Sequence, residues 1–164
     1  MKKKELLFVT IATLIIGTLM HFLYEWSGES RFIGYICPVD ESVWEHMKLI
    51  FYPLFFVAIY IAIRKGDIGR ISGFILTSLI AMALQISFVY LYKLFTQRSL
   101  VVLDIIFYYI VMIAAVIFGN IWSGCRKIRN LWPIFAAVSA IMIVLFTRLS
   151  YSKPSFCPFL FMEE

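Results

Sequence analysis

The sequence predicts an all-α integral membrane bundle of about five transmembrane helices, N-terminus inside and C-terminus outside. Three observations predict it. The hydrophobic fraction is 62% and the charged fraction 15%, against about 45–50% and about 25% in soluble proteins. The apolar residues gather into five runs close to the roughly 20 residues that cross a hydrocarbon core. The breaks carry charge or turn formers: Arg64-Lys65-Gly66-Asp67, Thr96-Gln97-Arg98 and Ser123-Gly124-Cys125-Arg126-Lys127. A chain of 164 residues has room for one such bundle, a single domain over residues 1–164.

The first span is expected at residues 6–24. Its start, Met1-Lys2-Lys3-Lys4-Glu5, imitates a secretory signal, but the run ends in His21-Phe22-Leu23-Tyr24-Glu25-Trp26. That ending is too bulky for a small-residue cleavage site, so the helix is retained. Thr10, Leu14, Gly17, His21 and Glu25 share a small or polar stripe, which predicts a bundle-facing side.

The second span, 43–63, follows Pro38-Val39-Asp40-Glu41. Ser42 and Glu45 have capping-box spacing, with Asp40 as the alternative cap. Capping alone accounts for Ser42 and Glu45. Glu41, Glu45, Lys48 and Tyr52 are expected on one helical face, and His46 about 100° from Glu45. Glu45 and His46 can therefore flank a cleft, but they cannot face the same neighbour. Pro53 removes a helical donor and predicts a kink.

The third span, 71–91, carries Gln85 with Ser78 and Ala81 on its face. The fourth, 100–121, carries Asp104 one turn from its end. A charged group at the bilayer centre costs about 2.5–3.5 kcal/mol, so such residues usually face the bundle interior or water. Near a helix end the plain alternative for Asp104 is exposure at the interface. The fifth span, 131–146, offers Ala136-x-x-x-Ala140 for close contact, then Thr147 and Arg148.

Orientation follows from the basic residues, which favour the cytoplasmic side of short loops. Nine of the 15 fall on the side of the N-terminus: Lys2, Lys3, Lys4, Arg64, Lys65, Arg70, Arg126, Lys127 and Arg129. The net charge of +5 thus orients helices in a plasma membrane. No basic face interleaved with aromatics points to nucleic acid. The longest loop lies outside and holds Glu25, Glu29, Asp40 and Glu41 against Arg31. Cys37 and Cys157 share that side, either as a disulfide or as two free thiols.

His21, Glu25, Glu45, His46, Gln85 and Asp104 all fall in the outer half under this topology. His21, Glu25, Glu45 and His46 are candidate ligands for a divalent metal such as zinc. Glu45, His46 and Asp104 are candidate acid–base residues, and Lys48 could hold an anionic group. No HExxH motif supports the metal reading. The plain alternatives are a cap for Glu45 and an interfacial hydrogen bond for His21.

Three functions compete. The first is a metal-assisted or acid–base hydrolase acting on lipid or a lipid-linked substrate. The second is a proton- or cation-coupled transporter subunit, which with five helices would need a homodimer or partner. The third is a non-catalytic partner-binding or immunity protein that uses Trp26, Phe32, Tyr35 and Trp44, although interfacial belts also place aromatics there.

Two segments carry a resemblance: His21-Phe22-Leu23-Tyr24-Glu25-Trp26-Ser27-Gly28, and Pro38 through Lys48. They resemble an uncharacterised family of small bacterial multi-pass membrane proteins with the signature HFxYxWSG, then PVNESVWEHxK. Asp40 stands where that signature has Asn. The resemblance covers the first third of the chain specifically. It implies a multi-pass helical fold, singles out the start of the second span and implies no activity.

Overall fold

The structure, a computed structural model, describes residues 1–152, and each apolar run is a helix there. The elements are α1 (Lys3–Trp26), α2 (Arg31–Gly34), α3 (Val43–Lys65), a 3-10 turn (Ile68–Arg70), α4 (Ile71–Thr96), α5 (Val101–Trp122), α6 (Arg126–Arg129) and α7 (Trp132–Leu149). Five of them, α1, α3, α4, α5 and α7, are long and apolar enough to cross a membrane. There is no strand among the described residues. The short helices α2 and α6 lie in segments read from sequence as loops.

Helix ends follow local chemistry. The Ser42 side chain caps α3 by accepting from the Glu45 backbone N–H at 3.4 Å. Gly66, at φ 61°, ends α3 in the left-handed conformation that glycine adopts without penalty. The helix α4 runs past the expected residue 91 because Tyr92, Lys93 and Leu94 continue it. It stops at Gln97, which is also left-handed.

The long helices alternate in direction, and polar contacts tie the same ends together. At the amino-terminal end Arg64 meets Glu5 at 2.9 Å and Asp67 pairs with Arg129. At the other end, which carries the long loop, Tyr92 donates to Asp104 at 2.6 Å and Ser150 to Glu45 at 2.7 Å.

The axial helix is α3. Of its apolar window 61% is buried, against 11% for α7. Ile106, Ile110 and Ile117 on α5, with Ile134, Ile141 and Val144 on α7, are exposed. An apolar surface of that extent suits lipid rather than water.

Close packing of α4 and α5 depends on glycine. A Cβ at Gly73 would run into the backbone of Ser123 and Gly119, and one at Gly119 into the Phe74 ring. Small residues let apolar helices approach in this way. Phe51, Tyr52 and Trp44 of α3 gather around Phe146 of α7 with ring centroids 5.0–5.9 Å apart. That aromatic cluster anchors the otherwise exposed α7.

Candidate histidine site at the long-loop end

The start of α3 sends its polar residues in two directions. Glu45 and Lys48, one turn apart, form a fully buried ion pair at 2.7 Å. The Lys48 ammonium also donates to the carbonyls of Gly34 at 2.6 Å and Cys37 at 3.1 Å. The Glu45 carboxylate accepts from the Val39 N–H at 3.0 Å and the Ser150 hydroxyl at 2.7 Å. Every hydrogen-bonding direction of the ammonium is therefore filled. The pair clamps the long loop and the end of α7 onto α3. Tyr52 extends this face by donating to the Tyr35 carbonyl at 3.0 Å.

Glu41, grouped with that face by helical spacing, lies elsewhere. It precedes the cap Ser42, so helical periodicity does not reach it. Asp40 accepts from the Ser42 N–H at 2.9 Å, and the resulting turn carries Glu41 to the His46 side. The Glu41 Oε2 stands 3.4 Å from His46 Nε2.

His46, offset by one residue from Glu45, faces α1. Its Nδ1 lies 2.9 Å from the Ser42 carbonyl, a contact that makes Nδ1 the donor and turns Nε2 toward Glu41. The ring of His21 is 5.3 Å away, centroid to centroid. One donor atom each from His21, Glu41 and His46 lies within 4.8 Å of the others. The structure thus brings together His21 and His46 of the expected ligand set, with Glu41 as the nearby carboxylate. Glu45 belongs to the clamp. Glu25 lines an adjoining acidic cavity of about 330 Å³ with His21, Glu29, Asp40 and Glu41.

Beneath the histidines lies a cavity of about 430 Å³ between α1, α3, α4 and α5. Its walls are mainly apolar, with Asp104 and Gln85 among them. Asp104 accepts from Tyr92. Gln85 is 7% exposed, and its side-chain oxygen is buried with no hydrogen-bond partner. Neither Glu45 nor Lys48 lines this cavity.

The floor has a backbone origin. Pro53 lacks the N–H that would bond the carbonyl of Leu49 four residues earlier. That carbonyl instead accepts from the Tyr108 hydroxyl at 3.3 Å. The bond passes beside Gly17, where a Cβ would collide with the Tyr108 hydroxyl. Thr18 and Tyr109 close the adjacent wall through hydroxyls 2.9 Å apart.

Sequence reasoning missed Glu41 as a partner of the histidines, Tyr92 as the partner of Asp104, and Ser150 as that of Glu45. Only Glu41 had a local signal, its place outside the cap. Cys37 is buried, and burial pushes its thiol up from the ordinary range. Cys157, its expected companion, lies outside the described residues. No curated protein and no solved structure matches the chain. Residues 1–163 match the profile of a family of unknown function (DUF6512), and the chain belongs to that family.

Proposed function

We propose that this chain sits in the plasma membrane with its N-terminus inside and its long-loop end outside, and there hydrolyses a lipid or lipid-linked substrate. The orientation rests on nine basic residues at the amino-terminal end of the bundle. The observation that carries the reaction is the placement of His21, His46 and Glu41 at the mouth of the 430 Å³ cavity. Such a volume lies in the range of about 300–1,000 Å³ typical of small-ligand pockets. An amphiphile fits its two halves: the apolar part between α1 and α5, the polar part against the histidines.

Hydrolysis adds water to an acyl carbon or phosphorus and breaks its bond to the leaving oxygen. The proton lost by water passes to that oxygen. The imidazoles handle this proton directly; were they to hold a divalent ion, it would supply the Lewis acidity that lowers the pKa of bound water. Gln85 offers the bound amphiphile a hydrogen bond deeper in the cavity. Lys48 and Glu45 act through the fold by pinning the loop that supplies Glu41.

The test is product release from phospholipids and lipid-linked phosphates by purified protein in proteoliposomes. His46→Ala should lower turnover about 100-fold, within the usual contribution of acid–base groups. Gln85→Leu should lower it about tenfold, the loss of one buried hydrogen bond. Wild-type protein that is folded and inert on the whole panel overturns the reaction. A transport reading draws on Asp104, which lies beside the cavity and is held by Tyr92. Cation or proton flux abolished by Asp104→Asn would favour it. The Gly17–Leu49–Tyr108 floor, which closes the cavity from below, argues the other way.

A further inference from the structure

We infer that His21, Glu41 and His46 form a binding site for one divalent transition-metal ion, open toward the apolar cavity. This deepens the hydrolase reading by naming the agent that activates water, and it rests on that reading only for the reaction.

The donor set is of the right kind. Two imidazoles and one carboxylate hold zinc in sites that keep a fourth position for water or substrate. An ion at about 2.1 Å from each ligand requires donor atoms about 3.4 Å apart. His46 Nε2 and Glu41 Oε2 already stand 3.4 Å apart, and all three donors lie within 4.8 Å. Glu41 is exposed, 62% at its side chain, which leaves its carboxylate room to adjust to an ion held by the two imidazoles.

Orientation is built in. His46 directs Nδ1 at the Ser42 carbonyl, the outer contact by which ligating histidines fix tautomer and ring direction. Ser42 is in turn fixed as the cap of α3 and by Asp40. The ring of His21 packs against Phe22 and His46, and its Nδ1 is buried with no hydrogen-bond partner. Buried polar atoms usually have a partner, and a bound ion with its water shell supplies one.

The surroundings serve both sides of an ion. The acidic cavity above, with Glu25, Glu29 and Asp40, concentrates cations at the entrance. Below, the unpartnered Oε1 of Gln85 marks where a hydrogen-bond donor of the substrate would sit. The ion would stand between solvent and substrate, with its open position toward the ester or phosphate.

The experiment uses the full chain in detergent, stripped with chelator and titrated with Co²⁺ and then Zn²⁺. One equivalent of Co²⁺ should bind with the intense visible absorption of low-coordinate cobalt, and Zn²⁺ should displace it. His21→Ala, His46→Ala and Glu41→Gln should each weaken binding at least about 100-fold. Glu5→Gln, at the opposite end of the bundle where Glu5 meets Arg64, should change it less than about threefold. Circular dichroism confirms that each variant remains helical.

Helical wild type that binds no ion, or binds it as tightly after His46→Ala, overturns the site. Stripped protein that still hydrolyses lipid would overturn the metal while sustaining the hydrolase. Stoichiometric Co²⁺ binding with an inert lipid panel would sustain the metal and overturn the hydrolase.

Discussion

Lys48 shows how a single residue changes meaning between sequence and structure. In the sequence it is a charge near a helix start, suited to an anionic substrate; in the fold its ammonium is enclosed by Glu45 and two loop carbonyls. Breaking a buried pair by removing one partner costs about 3–5 kcal/mol, because the other charge is left uncompensated. Lys48→Met should therefore destabilise the protein by about that amount in a detergent unfolding titration. The double variant Glu45→Gln with Lys48→Met should recover at least half of the loss, since no buried charge remains. Equal loss in both would mean that the loop contacts, and not the charges, set the cost. The histidines were legible at one level because the order of the spans puts both in the same half of the bundle. Glu41 was not, because helical spacing stops at the cap and a turn decides where the preceding side chain goes.

Among the elements, α3 to α5 carry the order of the bundle and glycine sets their spacing. Gly73→Ala must push its Cβ into the backbone of Ser123 and Gly119, where no rotamer can relieve the contact. Overpacking of this kind costs about 1–3 kcal/mol, so the melting temperature in detergent should fall by several degrees. Gly28→Ala is the comparison, since its added Cβ meets nothing within 4 Å and only its φ of 68° opposes the change. Its cost should stay near about 1 kcal/mol. If Gly73→Ala proved the milder change, α4 and α5 would have to pack with slack that their geometry does not show. Hydropathy located all five long helices but set several ends short, because it responds to apolarity while a helix ends where capping chemistry permits. The two four-residue helices lack the periodicity that would announce them.

For the whole molecule, the proposed orientation puts Cys125 inside and Cys37 outside. Cys125 is exposed, whereas Cys37 is buried with its thiol pushed up by that burial. In a Cys157→Ser background, a membrane-impermeant maleimide should label Cys125 only after intact cells are permeabilised. Cys37 should react slowly under native conditions on either side, because the thiolate is the reactive form and burial disfavours it. Labelling of Cys125 in intact cells would reverse the bundle and put the histidines on the cytoplasmic face. The alternation of the helices was readable from five apolar runs. The joining of the loop to α7 through Glu45 and Ser150 spans 105 positions, and nothing local in either segment announces it.

Pro53 gives the molecule one more property. By withholding a donor from Leu49 it turns a bond internal to α3 into a bond between α3 and α5, and Gly17 on α1 leaves the space for it. The depth of the cavity is thus written in two residues that offer no side-chain hydrogen bond, one through what it cannot donate and one through what it does not fill. Substitutions in the wall would change its chemistry, and with it the ligand, while these two residues held a chamber of the same height.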